Sequence, residues 1–387
     1  MIFMNILDQL TENKINIKDL SKEELTNILN SKGKDVNKLM SLANTNYTPN
    51  ETITFSKNVF IPITEICKND CGYCNFKKTP EDKDAIILKK PEEILKTLKT
   101  SEKYSCKEAL FTFGENADEE DIVKSRLNDL GYDKMVDYTY DFCKSTLENT
   151  NLLPHTNCGN MSYNEMKKLK EVNVSMGLML ENSSKRLMKT IAHKKSPGKL
   201  PKTRIKTITN AGKLKIPYTT GILIGIGETK KEIIESLLEI KKIQEKYGHI
   251  QEIIIQNFTP APNMEMANYP EPSLLDMVRT VSLAKLMFDD VSIQVPPNLN
   301  YETAQIFLLS GADDWGGVSP LTHDYVNKTS PWPTLDHLNE ITKDAGYQLK
   351  ERLAVYDKYI NKEYLSPLPY EKAVKEQDII NKINNIN

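Results

Sequence analysis

The sequence predicts an α/β protein whose parallel strands form a TIM-type (β/α)8 barrel, either fully closed or partly open. Two observations carry this prediction. Apolar runs of strand length alternate with helical patterns along most of the chain, and the runs are apolar almost throughout rather than at every second residue. Strands buried on both faces of a parallel sheet have this pattern. Seven or eight such units favour a barrel, and an open doubly wound sheet is the alternative.

The strand and helix predictions follow the chain from residue 59 onward. Strands are predicted at Val59–Ile66, Ala109–Phe113, Leu152–Thr156, Ser175–Leu180, Thr219–Ile226, Ile250–Gln256 and Val291–Val295, with a weaker eighth near Ala312–Val318. Helices are predicted at Pro91–Lys103, Tyr132–Glu148, Ser162–Val172, Lys202–Leu214, Lys230–Tyr247, Leu274–Phe288 and Tyr301–Leu309. In the fifth of these helices, the apolar residues of 233–238 fall on one face of a 3.6-residue period.

Two flanking regions complete the predicted domain organisation, in which residues 51–350 form the barrel. Residues 1–50 are a short helical extension, where Ser21 and Glu24 resemble a capping box. Residues 351–387 are a C-terminal helix or tail, which is polar and rich in asparagine after Pro369. We expect this tail to be a peripheral helix or a frayed end.

Composition limits the classes of function. The 387 residues are 39% hydrophobic and 27% charged with a net charge of −2, so the protein has no overall attraction to nucleic acid or anionic membranes. The longest apolar runs, such as residues 221–227, are too short to span a membrane, and the first residues resemble no secretory signal. We therefore expect a cytoplasmic protein without a nucleic-acid or membrane partner.

Three of the six cysteines, Cys67, Cys71 and Cys74, lie within eight residues directly after the first predicted strand. The functional residues of a barrel are expected at this end of the strands. Thiolates select zinc or iron–sulfur centres, and three thiolates leave one iron of a cluster open to a small molecule if no fourth ligand arrives. The alternative is a structural zinc site, completed by a histidine or by one of the single cysteines, which are Cys106, Cys143 and Cys158.

The segment Cys67-x3-Cys71-x2-Cys74, with Tyr73 before the last cysteine, resembles the cluster loop of the radical S-adenosylmethionine (SAM) enzymes. The resemblance implies that the three cysteines hold a [4Fe–4S] cluster, whose remaining iron binds the amino and carboxylate groups of SAM. It makes Tyr73 a candidate for stacking on SAM, whereas core packing explains Phe76 equally well.

Residues at later strand ends match the same superfamily in the expected order. Gly114 and Glu115 resemble its short Gly-Glu motif, whose backbone binds the SAM amino group. Glu181 resembles the acidic residue that meets the ribose or amino group of SAM. Arg204 is the expected partner of the SAM carboxylate, because a guanidinium binds a carboxylate through two hydrogen bonds.

Gly225 and Gly227 lie in the segment 221–228, which resembles the fifth-strand motif whose backbone runs along the adenine of SAM. Taken singly, all these residues also have structural explanations: Gly-Glu is a common turn, an acidic residue can cap a helix, and strand glycines permit a bulge. Their shared position at successive strand ends favours a single site at the C-terminal face of the barrel.

Among radical SAM families, residues from about 53 to 333 are most similar to the 7,8-didemethyl-8-hydroxy-5-deazariboflavin synthases, specifically the CofG subunit. The discriminating stretch is Gly311–Asn327 with Pro331–Pro333, and the departures are Cys158 and Lys328–Ser330. The resemblance implies a lyase that uses a 5′-deoxyadenosyl radical to cyclise 5-amino-5-(4-hydroxybenzyl)-6-(D-ribitylimino)-5,6-dihydrouracil with loss of ammonia. It also implies a CofH-type partner subunit that makes this substrate, and an external electron donor.

Ring closure requires proton transfer, for which His155 and Asp324 are candidates because each carries a titratable group near the end of a predicted strand. A structural hydrogen bond at a strand end explains His155 equally well, and we expect His193 on the surface. Two other functions stay open: a zinc-binding scaffold without turnover, and another radical SAM reaction such as that of biotin synthase. The second would usually need a second set of closely spaced cysteines, which the single cysteines do not form.

Overall fold

The computed structural model of the chain describes residues 5–45 and 52–384. Within this part, eight parallel strands form a closed barrel, in which each strand is hydrogen-bonded to the next and β8 is hydrogen-bonded to β1. The strands are β1 (Thr52–Thr64), β2 (Glu108–Phe113), β3 (Leu153–Asn157), β4 (Ser175–Gly177), β5 (Tyr218–Ile224), β6 (Ile250–Asn257), β7 (Ser292–Gln294) and β8 (Asp314–Val318). The predicted TIM-type fold is confirmed, in its closed form.

Helices surround the barrel. They are α1 (Ile6–Thr11), α2 (Lys22–Ile28), α3 (Lys34–Thr45), α4 (Pro91–Lys103), α5 (Asp121–Asp129), α6 (Met135–Asn149), α7 (Tyr163–Lys170), α8 (Pro201–Lys213), α9 (Lys230–Tyr247), α10 (Leu274–Met287), α11 (Ala304–Leu308), α12 (Leu335–Asp344) and α13 (Pro367–Asn384). Capping boxes begin α7 at Ser162 and α9 at Thr229, and Gly248 ends α9 in the left-handed conformation. None of the helices in the described ranges is long and apolar enough to cross a bilayer.

The N-terminal helices lie on the outside of the barrel, where α2 packs against α9 and α3 against α10. The predicted capping box is confirmed, since the Ser21 hydroxyl accepts a hydrogen bond from the Glu24 amide and the Glu24 carboxylate accepts one from the Ser21 amide. The predicted boundary at residue 50 lies outside the described residues. The division of the chain into three regions therefore stays a prediction.

The sequence analysis missed a ninth strand, β9 (Gln348–Arg352), which pairs in parallel with the first residues of β1. Its sequence, Gln-Leu-Lys-Glu-Arg, has no apolar run, so it gave no strand signal. Residues 353–355 follow it and are buried at the N-terminal end of the barrel, where the Ala354 carbonyl accepts hydrogen bonds from Ser175 and Gln251. The sheet thus continues past the predicted boundary at residue 350, and the segment after β9 closes the floor of the barrel.

The C-terminal segment is a packed helix through Asn384, so of the two predicted alternatives the structure has the helix and not the frayed end. Helix α13 contacts β3, α6 and β9. Its Glu376 is fully buried and lies 2.6 Å from the Lys107 ammonium. Ala373 and Ile380 on the same helix are also buried. These two apolar side chains and the Lys107–Glu376 ion pair explain why this mostly polar sequence forms an ordered helix.

Candidate active site

The three clustered cysteines lie in the loop after β1 and line one cavity of about 270 Å³ at the C-terminal end of the barrel. Backbone hydrogen bonds hold this loop against three neighbouring segments. The bonds run from Lys68 to Glu115, from Gly72 to Ala192 and from Met266 to Gly72. Burial raises the pKa of the Cys67 thiol to about 12, so metal binding there has to displace the thiol proton.

Gly114 follows β2 in close contact with the cysteine loop. A β-carbon at this position would lie 1.8 Å from the Ile66 carbonyl oxygen and 2.7 Å from the Cys67 β-carbon. On the other side of the site, a β-carbon at Gly198 would lie 1.6 Å from a Glu115 carboxylate oxygen. Both glycines are therefore required by the close approach of other atoms, which a side chain would block.

Glu115 and Arg204 form a buried ion pair beside the cysteines, with 3.2 Å between Oε2 and Nη1. Arg204 also donates from Nε to the Met179 carbonyl at 2.7 Å, while its Nη2 has no acceptor among the described residues. Burial alone would raise the pKa of Glu115, but the charges of Arg204 and Lys199 and hydrogen bonds from nearby amides lower it overall. The predicted contact of Arg204 with the SAM carboxylate stays a prediction.

Glu181 follows β4 with a φ of 62°, a left-handed conformation that is strained for a residue with a side chain. Its backbone extends the sheet beside β5, because its N–H donates to the Gly221 carbonyl and its carbonyl accepts from Leu223. Its carboxylate lies 2.7 Å from the Lys199 ammonium. Burial opposes ionisation of Glu181, but the charges of Lys199 and Arg204 lower its pKa overall.

Lys199 lines the same cavity, although the sequence analysis did not identify it. Burial and Arg204 lower its pKa, but the neighbouring Glu181 and Cys71 raise it overall, so the ammonium is retained. The signal in the sequence is slight: Lys199 lies shortly before the predicted helix that carries Arg204.

Tyr73 lines the cavity, and its hydroxyl lies 2.9 Å from Nε2 of His193. The expectation that His193 is exposed is wrong, because it is only 2% exposed. The segment before α8 folds onto the cysteine loop and buries it, as the hydrogen bond from Gly72 to Ala192 shows. Burial and the charge of Lys199 lower the pKa of His193 to about 4, so its imidazole is neutral. Phe76, for which core packing was an equal explanation, is buried and also lines the cavity.

Gly225 and Gly227 do not line the cysteine cavity. They bend the chain after β5 with φ values of 99° and 96°, and they line a separate cavity of about 310 Å³. The Glu228 carboxylate accepts hydrogen bonds from the amides of Gly225 and Ile226, which fixes the turn. The residue of this motif that reaches the cysteine cavity is Leu223. The structure therefore separates the two glycines from the other predicted site residues.

A third cavity of about 180 Å³, the interior chamber, extends from the cysteine cavity towards the floor of the barrel. The residues that line both cavities are Asn157, Ile254, Gln256, Val326 and Asn327. Both predicted acid–base residues, His155 and Asp324, line the interior chamber rather than the cysteine cavity.

His155 and Asp324 differ in what their side chains can do. Nδ1 of His155 lies 2.7 Å from the Ser175 hydroxyl, and burial lowers the pKa of His155 to about 3. Asp324 accepts four hydrogen bonds of 2.8–3.0 Å from Asn298, Val326 and Asn327. These bonds fill the acceptor sites of its carboxylate and hold Asn327 where the two cavities meet. The predicted role of the two residues in proton transfer stays a prediction.

The donor set of the cysteine cavity fits an iron–sulfur cluster with one open iron. Among the described residues, no three His, Cys, Asp or Glu side chains converge to hold a single metal ion. A cluster does not need this convergence, because each thiolate binds a different iron. The single cysteines do not line the cavity and pack elsewhere: Cys106 bonds to the Asn58 carbonyl, Cys143 contacts Thr156 and Cys158 contacts Met161.

Comparison with known proteins agrees with this site. The family model described as the radical SAM superfamily matches residues 61–240, which contain the cysteine loop, Glu115, Glu181 and Arg204. A 7,8-didemethyl-8-hydroxy-5-deazariboflavin synthase of Methanobrevibacter smithii is 67% identical over 328 residues, covering 84% of this chain and 97% of that protein. The chain belongs to this family of radical SAM enzymes.

Another deazariboflavin synthase, from Methanocaldococcus jannaschii, is 56% identical over 358 residues, covering 92% of this chain and 98% of that protein. Among solved structures, the FeFe-hydrogenase maturase HydG of Carboxydothermus hydrogenoformans has a TM-score of 0.75 at 16% identity and covers 95% of this chain and 87% of its own. Methylornithine synthase (PylB) has a TM-score of 0.69 at 17% identity, with coverage of 89% and 96%. At these identities the structures share the fold, whereas family membership implies a [4Fe–4S] cluster and SAM.

Proposed function

We propose that this protein acts on 5-amino-5-(4-hydroxybenzyl)-6-(D-ribitylimino)-5,6-dihydrouracil, cyclises it and releases ammonia. The observation that carries the proposal is the junction of the cysteine cavity with the interior chamber, where Asn157, Gln256 and Asn327 line both. Hydrogen abstraction requires the reacting carbon to lie next to the group that abstracts from it. A substrate in the interior chamber that reaches this junction meets that requirement.

The lining of the chamber supports a substrate that combines rings with hydrogen-bonding groups. Phe60, Leu110 and Trp332 provide apolar surface, and amides and carboxyl groups provide hydrogen-bond donors and acceptors. A phenol ring, a pyrimidine ring and a hydroxyl-bearing ribityl chain require both kinds of contact.

The cofactors and the chain's residues have separate tasks in this proposal. A [4Fe–4S] cluster and SAM supply, when bound, a 5′-deoxyadenosyl radical by one-electron cleavage of the sulfonium C–S bond. Cys67, Cys71 and Cys74 hold the iron, and Arg204 orients the SAM carboxylate through its free Nη2 edge. Glu181, kept ionised by its charged neighbours, binds the amino group or the ribose.

The substrate end of the site has its own tasks. His155 and Asp324, which both line the chamber, are the acid–base residues of ring closure in this proposal, although burial, which lowers the pKa of His155 to about 3, makes its imidazole a weak base. Asp324 also positions Asn327 where the two cavities meet. The closed floor and the surrounding helices exclude water from the reactive species.

The proposal includes a CofH-type partner subunit that supplies the substrate, an external electron donor that reduces the cluster, and a cytoplasmic location. All six cysteines are free thiols, as a reducing compartment favours. The net charge of −2 supports a small-molecule substrate rather than nucleic acid.

Anaerobic reconstitution with iron and sulfide, followed by addition of dithionite, SAM and the dihydrouracil substrate, tests the proposal. We expect 5′-deoxyadenosine, ammonia and a fluorescent deazaflavin in the same reaction. Failure to release 5′-deoxyadenosine would contradict the proposed radical chemistry. Its release without the fluorescent product would remove the assigned substrate alone.

A further inference from the structure

Three carboxyl groups and one guanidinium meet at the floor of the interior chamber. They belong to Glu108 at the start of β2, Glu252 on β6, Asp314 at the start of β8 and Arg352 at the end of β9, and each is less than a tenth exposed. Arg352 binds Asp314 through two hydrogen bonds of 2.5 and 2.7 Å, and its Nη2 also reaches Glu252 at 3.1 Å. Glu108, Glu252 and Arg352 line the chamber.

One guanidinium cannot neutralise three carboxylates in an enclosed site, so protons must neutralise the remainder. Asp314 takes the two-bond contact with Arg352, which leaves Glu108 and Glu252 as the groups that retain protons. Burial, assisted by the charges of Asp314 and Glu108 and opposed by Arg352, raises the pKa of Glu252 to about 8. Burial also raises the pKa of Glu108, whose carboxyl is hydrogen-bonded to Ser56 at 2.5 Å.

The other titratable groups near this floor add no charge to it. Burial keeps His155 neutral by lowering its pKa, and burial raises the pKa of Tyr356, whose ring lies 4.4 Å from the Arg352 guanidinium. Glu351 directly precedes Arg352 on β9, so the two side chains point to opposite faces of the sheet. Glu351 forms an ion pair with Lys57 at 3.2 Å and not with the groups at the floor.

The remaining polar lining of the chamber includes Asp324, whose carboxylate is already bonded to Asn298, Val326 and Asn327, and Thr219, whose hydroxyl donates to Glu252 at 3.0 Å. Apart from these and the neutral His155, it consists of uncharged amides and Trp332, several with unused hydrogen-bonding capacity. Oδ1 of Asn58, Oδ1 of Asn298 and Nε1 of Trp332 are buried without a hydrogen-bond partner in the described part of the chain. Strand β8 leaves room for two of the amides: a β-carbon at Gly317 would lie 2.2 Å from Nδ2 of Asn58, and one at Gly316 would lie 2.1 Å from Nε2 of Gln294. The chamber is therefore suited to a neutral ligand that both donates and accepts hydrogen bonds.

We infer that Glu252 and Glu108, as neutral carboxylic acids, bind the hydroxyl groups of the substrate's ribityl chain at the floor of the chamber, and that Glu252 makes the site selective for this chain. The inference rests on the proposed function. The reacting rings must lie at the junction with the cysteine cavity, so the unreactive hydroxyl groups extend towards the floor. A neutral acid donates one hydrogen bond and accepts others, as a hydroxyl group does, whereas an ionised carboxylate only accepts.

Equilibrium binding of two ligands to the reconstituted full-length protein tests this inference. The ligands are the fluorescent ribityl product and its 10-methyl analogue, which has the same ring system without the hydroxyl-bearing chain. Because both ligands have the same ring system, ionisation of the ring changes both Kd values alike, and its effect cancels in their ratio. In the wild-type protein we expect the preference for the ribityl compound to fall about tenfold between about pH 6.5 and about pH 9.5, because Glu252 loses its donor proton near pH 8.

Glu252→Gln replaces the acid by a permanently neutral group that still donates a hydrogen bond, so its preference should fall less than that of the wild type over the same pH range, with Glu108 as the remaining titrating acid. Glu351→Gln is the matched control, since Glu351 is a buried glutamate whose pKa is also raised by burial but which does not line the chamber. In Glu351→Gln, the preference for the ribityl compound should fall with pH as it does in the wild type.

A wild-type Kd ratio near one, or a ratio that does not fall with pH, overturns the inference whether or not the variant folds. The same pH profile in Glu252→Gln as in the wild type also overturns it. If the wild type binds neither ligand and produces no deazaflavin, the proposed function fails, and this inference fails with it. Production of deazaflavin with an unchanged profile overturns this inference alone.

Discussion

At the scale of single residues, the cysteine cavity is surrounded by buried charges that are already paired. Glu115 pairs with Arg204 at 3.2 Å, and Glu181 pairs with Lys199 at 2.7 Å. Burying such charges without partners would cost several kcal/mol each. Because SAM carries both an amino group and a carboxylate, it can exchange partners with these pairs without leaving any buried charge unpaired. In the proposed function, these paired charges receive the amino and carboxylate groups of SAM.

Cys71→Ala should abolish both the iron content and the SAM-dependent release of 5′-deoxyadenosine, because two thiolates cannot retain the cluster in place of three. Cys143→Ala is the matched control, since Cys143 is buried against Thr156 and does not line the cavity. Iron analysis and chromatography of the reaction measure the two effects. Full iron content in Cys71→Ala, or one zinc ion in the wild type, would contradict the cluster assignment.

Lys199→Met should weaken SAM binding by about tenfold or more, because it leaves the Glu181 carboxylate buried without its cation. The control is Lys195→Met in the same segment, where Lys195 is exposed and pairs with Glu265 at the surface. Equilibrium dialysis with SAM on the reconstituted protein gives the two Kd values. Equal Kd values for Lys199→Met and the wild type would exclude a role for Lys199 in SAM binding.

At the scale of elements, the cysteine loop at the C-terminal face is held in place by neighbouring segments. The cysteine loop touches the turn after β2 at Gly114 and the segment before α8 at Ala192. At the opposite end, β9 and α13 hold the floor. The positions of the cysteines therefore depend on segments far away in the sequence.

Gly114→Ala should lower the iron content of the reconstituted protein, because the new methyl group would overlap the Ile66 carbonyl and displace Cys67. Gly131→Ala is a useful comparison, since a β-carbon there meets no atom within 4 Å and only its φ of 84° is strained. We expect that variant to lose about 1 kcal/mol of stability and to keep its cluster. The prediction fails if Gly114→Ala binds as much iron as Gly131→Ala.

Lys107→Met should reduce the free energy of unfolding by about 3–5 kcal/mol, because Glu376 of α13 would be left buried and unpaired. The double variant Lys107→Met with Glu376→Leu should recover most of this loss, since it removes both charges. Urea unfolding of the three proteins measures the effect. If α13 were peripheral, Lys107→Met would change the free energy of unfolding by less than about 0.5 kcal/mol.

At the scale of the whole molecule, the closed barrel contains two adjoining cavities, the cysteine cavity and the interior chamber, whose linings differ in chemistry. Thiols and ionised pairs surround the cysteine cavity, whereas carboxylic acids and amides line the interior chamber. Closure at the floor by residues 353–355 removes water from the acids, which is why burial raises the pKa of Glu108 and Glu252.

This burial predicts how stability depends on pH. Because the pKa of Glu252 rises from its usual value near 4.5 to about 8 on folding, the native state binds more protons than the unfolded state between these values. The free energy of unfolding should therefore fall as pH rises through this window, by on the order of a few kcal/mol. In urea unfolding of the metal-free chain, Glu252→Gln should reduce this dependence. A replacement at the exposed Glu340 should leave this pH dependence unchanged. Equal slopes of the free energy of unfolding against pH in the two variants would contradict the prediction.

Sequence reasoning succeeded where a local pattern has one physical cause. Eight apolar runs identified the eight barrel strands, and the spacing of Cys67, Cys71 and Cys74 identified the loop that lines the cavity. It failed for β9, whose polar sequence forms a strand only because β1 offers an unpaired edge. It also failed for His193, which lies in a polar segment that tertiary contacts bury.

The sequence by itself determined the barrel and the cysteine loop, because apolar periodicity and ligand spacing are local properties of the chain, and its resemblance to radical SAM enzymes indicated the family. Only the tertiary structure decided which side chains share a cavity. It added Lys199 to the cysteine cavity, separated Gly225 and Gly227 from it, and brought together the charges of Glu108, Glu252, Asp314 and Arg352 from four different strands. Distances between residues remote in sequence, and the burial that shifts their pKa values, arise only when the barrel closes.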